Sequence, residues 1–412
     1  MLRFRVATSF FLGLLAASPA VADDSLSGSA DSQEFSLDGY VDIRLVHPSD
    51  EHSWMEGGLG KLRFDRAPGE IDPVLAEIVA EASAQVAPDL LGFLCLRYTD
   101  DQRTPIDALQ AYVRYRPVST TAWRWSMKVG AFFPPVSLEN DELGWSSYWT
   151  LTPSAINSWV GDELRTIGGE GKIEWRGERD TIDATAAVFG ANDPAGVLID
   201  LRGWSLNDRP TGLFDRVRLP GTPAFYYSLF REIDDRAGWY TSASWERKDL
   251  GRVTATRYDN EADPTATRDG QIAWHTKFWS GGLATDLLGL TILAQGMTGE
   301  TEVNPSPDYD RRVEFQAVYV LAGLDFEQWR LATRFDVFGT DAIETISGAP
   351  SKSDLSEHGY AVTFSATWLP ETWLRLSGEA LLAHSYRRQR EETGLDPNAD
   401  ELQLQTSARI YY

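Results

Sequence analysis

The sequence predicts an all-β fold: a transmembrane antiparallel β-barrel of about 16 strands, 18 at most, with an inward-folded long loop. Three observations predict it. Side-chain character alternates with period 2 from residue 35 to the end, connections alternate between short and long, and aromatic residues gather beside the short ones. Composition removes the competing classes. A mean hydropathy of −0.30 excludes a bundle of apolar helices, and no stretch after residue 22 offers the ~20 apolar residues a spanning helix needs. The 15 Trp, 15 Tyr and 18 Phe are too many for a disordered acidic chain. A formal charge of −23 argues against nucleic acid as a partner, since phosphate binding needs a basic surface. The single Cys95 excludes an intramolecular disulfide and any multi-cysteine metal site.

Along the chain, residues 1–22 read as a secretory signal peptide. Arg3 and Arg5 precede an apolar run from Val6 to Ala17, and Ala20-Val21-Ala22 supplies small residues for cleavage. Cleavage there would remove both arginines and leave a formal charge of −25. Residues 23–34 are expected to be a flexible lead-in, and 35–412 the barrel.

The first strand sets Phe35, Leu37, Val41, Ile43 and Leu45 on one face and Ser36, Asp38, Asp42 and Arg44 on the other. The same alternation recurs over 122–132, 166–176 and the last segment, where Leu402, Leu404, Ala408, Ile410 and Tyr412 oppose Gln403, Gln405, Ser407 and Arg409. Strands are expected to begin near Phe35, Val74, Leu90, Ile106, Ala122, Thr166, Thr181, Arg236, Leu250, Gln271, Leu283, Arg312, Gln328, Gly359, Thr372 and Glu401. A further hairpin over 57–64 would raise the count to 18. Short turns are expected at 117–121, 177–180, 248–249, 280–282, 325–327 and 370–371. Long connections fall at 133–165, 192–235, 259–270, 298–311, 339–358 and 387–400. Tight turns at one end and long loops at the other are the grammar of an outer-membrane barrel, and this many strands would leave a water-filled lumen.

Tyr115, Trp123, Trp175, Trp245, Trp329 and Trp368 flank the short turns on the apolar face, and Tyr412 ends the chain on that face. They are expected to form an interfacial aromatic girdle. The terminal Tyr411-Tyr412 resembles the aromatic signature of bacterial outer-membrane proteins.

Catalytic motifs are missing. The five histidines show no metal spacing, and no G-x-S-x-G elbow occurs. The run Gly57-Gly58-Leu59-Gly60-Lys61 lacks the serine or threonine of a phosphate loop, and 259–263 lacks the ligand order of a calcium loop. Neither metal nor cofactor is expected. The polar face carries a distinct set of cations: Arg97, Arg114, Arg116, Arg124, Lys128, Lys172, Arg176, Arg330 and Arg334, with Arg375 and Arg409 further on. In lipid each would cost ~2–4 kcal/mol near the midplane, so they are expected to line the lumen. Loop 133–165 is the candidate constriction, and its Glu139, Asp141 and Glu142 are expected to face this basic wall. Two readings stay open: a wall of free cations that screens solutes, or a ladder neutralised by inward carboxylates such as Glu77, Glu81, Glu170 and Asp336.

The stretch Val129-Gly130-Ala131-Phe132-Phe133-Pro134-Pro135-Val136-Ser137-Leu138-Glu139 resembles the strand-end motif of phosphate-selective porins of the O/P type. Thr152-Pro153-Ser154 and Arg165-Thr166-Ile167-Gly168 extend the resemblance, which covers about residues 100–190. It implies a trimeric 16-stranded diffusion channel with an inward loop. A lysine-rich cluster tied to phosphate preference is lacking here. The expected function is passive diffusion of small hydrophilic solutes, anions among them, without enzymatic activity. Outer-membrane lipid and lipopolysaccharide are the expected surroundings, and a homotrimer the expected assembly. The alternative is a barrel-anchored enzyme or surface-binding protein with a plugged lumen.

Overall fold

The computed structural model describes residues 35–65, 71–219, 222–350, 354–392 and 394–412, so the expected signal peptide and lead-in lie outside it. Sixteen strands span the barrel: β1 Phe35–His47, β2 Asp72–Ala87, β3 Leu90–Tyr98, β4 Ile106–Tyr115, β5 Trp123–Phe132, β6 Thr166–Arg176, β7 Asp180–Gly190 and β8 Gly238–Arg247. Then follow β9 Gly251–Asp259, β10 His275–Leu287, β11 Leu290–Ser306, β12 Tyr309–Phe326, β13 Trp329–Ile346, β14 Glu357–Glu371, β15 Leu374–Arg387 and β16 Asn398–Tyr411. Each pairs antiparallel with its sequence neighbours, and β1 also pairs with β16 from Tyr40↔Tyr411 to His47↔Leu404. That last ladder removes both sheet edges.

The period-2 pattern decides what faces where. Ile43, Leu45, Val129, Phe335, Val337, Phe364 and Leu404 stand exposed on the outside. Their chain neighbours Asp42, Arg44, Arg334, Asp336, Thr363 and Gln405 are buried inside. An apolar belt of this extent cannot face water, and a closed barrel leaves no backbone group unpaired in hydrocarbon. The barrel is a transmembrane one. At the short-turn end Trp123 lies opposite Trp175 in register, and Trp329 stacks on Trp368 with ring centroids 6.0 Å apart. The Trp245 indole donates to Asp180 at 3.0 Å, and Tyr412 to the Val79 carbonyl at 3.1 Å.

Three expectations about connections need correction. The turn placed at 280–282 lies at 288–289, and Gly281-Gly282 sits inside β10. A Cβ at Gly282 would clash with the Leu138 side chain, so this glycine gives clearance to the inward loop. Stretches 298–311 and 339–358 are largely strand: β11 and β12 pair as far as Ser306↔Tyr309, and β13 runs to Ile346. Beyond the belt the outward face of β11 and β12 turns polar, with Glu300, Glu302, Arg312 and Glu314, so the apolar-outward alternation vanishes while the ladder continues. Residues 57–64 form no barrel strand. They hold only isolated bridges, Ser53↔Gly60 and Leu62↔Leu206, which leaves sixteen strands.

The expected inward loop is present, and a second loop joins it in the lumen. Loop 133–165 and loop 191–237 turn inward and pack the barrel interior, the first reaching Asp325 and Arg375 beside short turns. Helix α1, Ala155–Glu163, starts where the Ser154 side chain accepts from Asn157 N, and every residue in it is buried. Short helix α2, Val197–Arg202, follows in the second loop. Trp159 and Trp204 sit among Tyr240, Tyr258, Phe278, Phe315 and Phe338 of the wall. The Trp159 ring lies 5.1 Å from Phe315 and 5.5 Å from Phe278. The inner face of β10–β12 carries Phe278, Leu293, Met297, Phe315 and Leu321 as the apolar partners of this plug.

Phe335 faces lipid between Val320 and Val362 near the middle of the belt. Phe335→Arg should lower stability by ~2–4 kcal/mol, read from denaturant unfolding in phospholipid vesicles.

Candidate permeation site

At the short-turn end the lumen opens into a vestibule. Arg114, Arg116, Arg124 and Lys172 converge there with Glu174 around a cavity of about 80 Å³. Short strands β4 to β6 bring them together, because Arg114 pairs with Lys128 across one ladder and Arg124 with Glu174 across the next. Among the described residues Arg114, Arg116 and Arg124 have no ion pair. Their neighbours do: Lys128 lies 3.0 Å from Glu170, Lys172 lies 3.6 Å from Asp183, and Arg176 pairs with Glu174. The Lys128 ammonium also sits 4.0 Å from the Phe132 ring centroid.

The other cations of the wall are engaged with the plug. Arg97 approaches Glu77 at 3.7 Å and donates to the Pro210 carbonyl. Arg334 meets Asp336 at 2.8 Å and Glu139 at 3.4 Å, and donates to the carbonyls of Thr152 at 2.7 Å and Pro153 at 3.0 Å. A planar guanidinium with five donors suits such a junction of carboxylates and carbonyls. Arg330 pairs with Asp325 at 3.1 Å and donates to the Tyr148 carbonyl at 2.8 Å. Of the loop carboxylates, Glu139 is turned into the plug, where it accepts from Ser154 N at 2.7 Å and Asn157 Nδ2 at 2.8 Å. Glu142 pairs with Arg375 at 2.8 Å, and Asp141 is exposed.

Between the loops and the wall a polar cavity remains, about 10 Å³ in volume, which is room for about one water. Glu77, Asn140, Trp145, Asn157, Asp208 and Arg409 are among its lining residues.

Several anchoring residues lie outside the wall and loop set read from the sequence. Arg44 meets Asp42 at 2.8 Å and Asp208 at 2.6 Å; Arg63 then reaches Asp208 at 2.9 Å and Asp101 at 2.8 Å; Arg209 links Asp101 at 3.0 Å to Asp215 at 2.9 Å. This run of alternating charges ties β1 to three connections. Burial opposes ionisation of Asp101, yet Arg63 and Arg209 hold its carboxyl well below the usual range, and Arg44 and Arg63 do the same for Asp208. The run Asn207-Asp208-Arg209-Pro210 reads as ordinary polar loop, so no local signal marks it. Arg165, quoted above in the resemblance, has no carboxylate partner among the described residues. It donates to the carbonyls of Leu109 at 3.1 Å and Thr211 at 2.7 Å and stacks 3.5 Å over Phe133. Glu163 accepts from the N–H groups of Leu198 at 2.8 Å and Ile199 at 3.3 Å, and from the Trp159 indole. Burial pushes its carboxyl up to about 7 despite those donors.

Two groups bring metal-ligating atoms within 4.8 Å of one another: Asp259, Glu261 and His275, and Asp193, Glu232 and Asp234. Both are occupied internally. His275 hydrogen-bonds Asp259 at 3.0 Å, and the Asp193 carboxylate accepts from Ile233 N and Asp234 N.

No protein-family model and no curated protein matches the sequence. Solved structures do match the fold. The outer membrane channel DcaP of Acinetobacter baumannii superposes with a TM-score of 0.54 at 11% identity, covering 92% of this chain and 97% of that one. OmpF of Salmonella typhi, in complex with daunomycin, gives 0.51 at 13% identity, with 92% and 97% covered. OmpT, an outer membrane protein of Vibrio cholerae, gives 0.51 at 11% identity with the same coverage.

Removing the Arg334 side chain would leave Asp336 and Glu139 buried without their cation. Arg334→Ala should therefore cost ~3–5 kcal/mol in denaturant unfolding, while Arg124→Ala stays within about 0.5 kcal/mol. Glu163 holds its proton in the fold up to about 7 and in the unfolded chain only to ~4.3. The fold thus binds more protons between these values, and stability should fall as pH rises through that window. Glu163→Gln should flatten this part of the profile, read from unfolding midpoints at several pH values.

Proposed function

We propose that the chain is a bacterial outer-membrane channel for passive diffusion of small hydrophilic solutes, with a preference for anions. One observation carries this reading: three arginines without ion pairs among the described residues, Arg114, Arg116 and Arg124, line a cavity inside a transmembrane barrel. Such a wall raises the local concentration of anions at the entrance. Transport of this kind needs no covalent step; it needs a passage, a constriction and placed charge. The outer-membrane channel among the fold neighbours and the resemblance of residues 129–139 and 165–168 to the O/P-type porins support the reading. On that resemblance the working assembly is a homotrimer, surrounded by outer-membrane lipid and lipopolysaccharide.

A specific observation favours the second reading. The two inward loops bury Trp159 and Trp204 against the wall inside the barrel, as expected of a barrel that anchors surface loops and conducts nothing. Planar-bilayer recording separates the two. A stable current supports the channel, and silence of a well-folded barrel favours the anchored binder or enzyme.

With the channel established, Arg114→Glu, Arg124→Glu and Lys128→Glu combined should move the reversal potential in a salt gradient toward cation preference. An unchanged potential would place these residues away from the selective path.

A further inference from the structure

The inward loop 133–165 is held in two different ways. Residues 150–165 are buried throughout. Their backbone is fixed by inward carboxylates and Arg334: Leu151 N donates to Glu379 at 2.6 Å, Ala155 N to Asp336 at 3.1 Å, and Arg334 takes the Thr152 and Pro153 carbonyls. This part is a bracket locked into the wall.

Residues 140–149 are held differently. Asp141, Glu142, Leu143, Trp145, Ser146 and Tyr148 remain partly or fully exposed, while Asn140, Gly144, Ser147 and Trp149 are buried. Their polar links to the wall are few: Glu142 to Arg375, Gly144 N to Glu81 at 2.9 Å, Ser146 to Arg409 at 3.3 Å, and a cluster at Tyr148; Leu143 and Trp145 add apolar contact with the cluster of Tyr40 and Val79. In that cluster the Arg330 guanidinium lies 3.0 Å from the Tyr148 ring centroid and donates to its carbonyl, while the Tyr148 hydroxyl donates to Asp325 at 3.0 Å. The Asp325 side chain is 51% exposed, so water and salt weaken the arrangement. The segment also carries a kink. Gly144 has φ 70° and Trp145 has φ 58°, the left-handed region that a tryptophan rarely adopts.

The residual polar cavity lies along the seam between the two parts. Asn140, Trp145 and Ser147 line it from one side, Pro153 and Asn157 from the other, and Arg409 from the wall. Asn140 Oδ1 and Asn157 Oδ1, one on each part, are buried without a hydrogen-bond partner among the described residues.

We propose that residues 140–149 form a flap closing the passage, and that Arg330, held between Asp325 and Tyr148, is its latch. The flap turns at Gly144-Trp145. Its release opens the vestibule onto the polar seam lined by Asn157, Ser158, Asn207 and Asp208. Arg330 is then a positioning residue, distinct from the free arginines of the vestibule. This inference rests on the channel reading and deepens it.

The test is single-channel recording of the full chain in planar bilayers, comparing wild type with Arg330→Ala and Tyr148→Phe. Arg330→Ala should raise the open fraction or the conductance by about threefold or more, the scale of one lost partly exposed contact. Tyr148→Phe, which removes only the hydroxyl bond to Asp325, should give a smaller change in the same direction. Gel mobility before and after boiling should match wild type, which a general loss of structure would not allow. If Arg330→Ala does not fold, Tyr148→Phe decides alone. Wild-type current with no change in the variants overturns the flap and leaves the channel. Silence in wild type and variants alike overturns both.

Discussion

Hydrocarbon offers a backbone amide no partner, and that constraint organises the rest of the molecule. It demands that β1 return to β16, that every strand pair on both sides, and that side chains sort strictly by parity. Once parity is imposed, one set of positions must be apolar and the other is free to carry charge. Arg44, Arg97, Arg334, Arg387 and Arg409 can then be almost fully buried in a chain that crosses a membrane, because their burial is in protein and not in lipid. The same constraint creates the interior to be filled. Two loops supply the filling, with Trp159 and Trp204 at its centre.

The interior is therefore two environments. On the long-loop half, α1 and the second loop meet aromatic wall residues and a run of alternating charges from Asp42 to Asp215. Each of those charges has an opposite neighbour, as buried ions require. On the short-turn half, Arg114, Arg116 and Arg124 are half-buried and have no ion pair among the described residues. Structural cations and candidate selective cations are the same residue type on the same inner face. Their partners separate them.

The barrel itself was legible. Alternation located β1, β5, β6 and β16 and their facing, and Trp123 and Trp175 announced their shared turn end. Regions where alternation carries another meaning were not legible. Gly281-Gly282 looks like a turn because two glycines usually are one; here Gly282 makes room for Leu138, a tertiary fact. The upper parts of β11 and β12 disappear from the pattern because their outward face no longer needs to be apolar there. For the site, the inward direction of Arg330 and Arg334 could be read from parity. Their partners could not, since Glu139 and Tyr148 lie almost two hundred residues earlier. The plug stayed hidden for the same reason: loop residues such as Trp159 are apolar for the sake of distant Phe278 and Phe315.

The strands are unequal in length, with a geometric consequence. β3 to β9 have 9–11 residues, whereas β11 to β13 have 17–18. At ~3.3 Å per residue, and allowing for strand tilt, one side of the wall stands roughly 15–20 Å higher than the other. The outer rim is cut on a slant. The tall side is a stiff hydrogen-bonded palisade whose outward face carries Lys277, Glu300, Arg312 and Glu314 in mutual ion pairs. The low side is where the long loops emerge. A molecule arriving from outside meets ordered sheet across one arc of the rim and loop across the other, so the direction of its approach selects which chemistry it encounters.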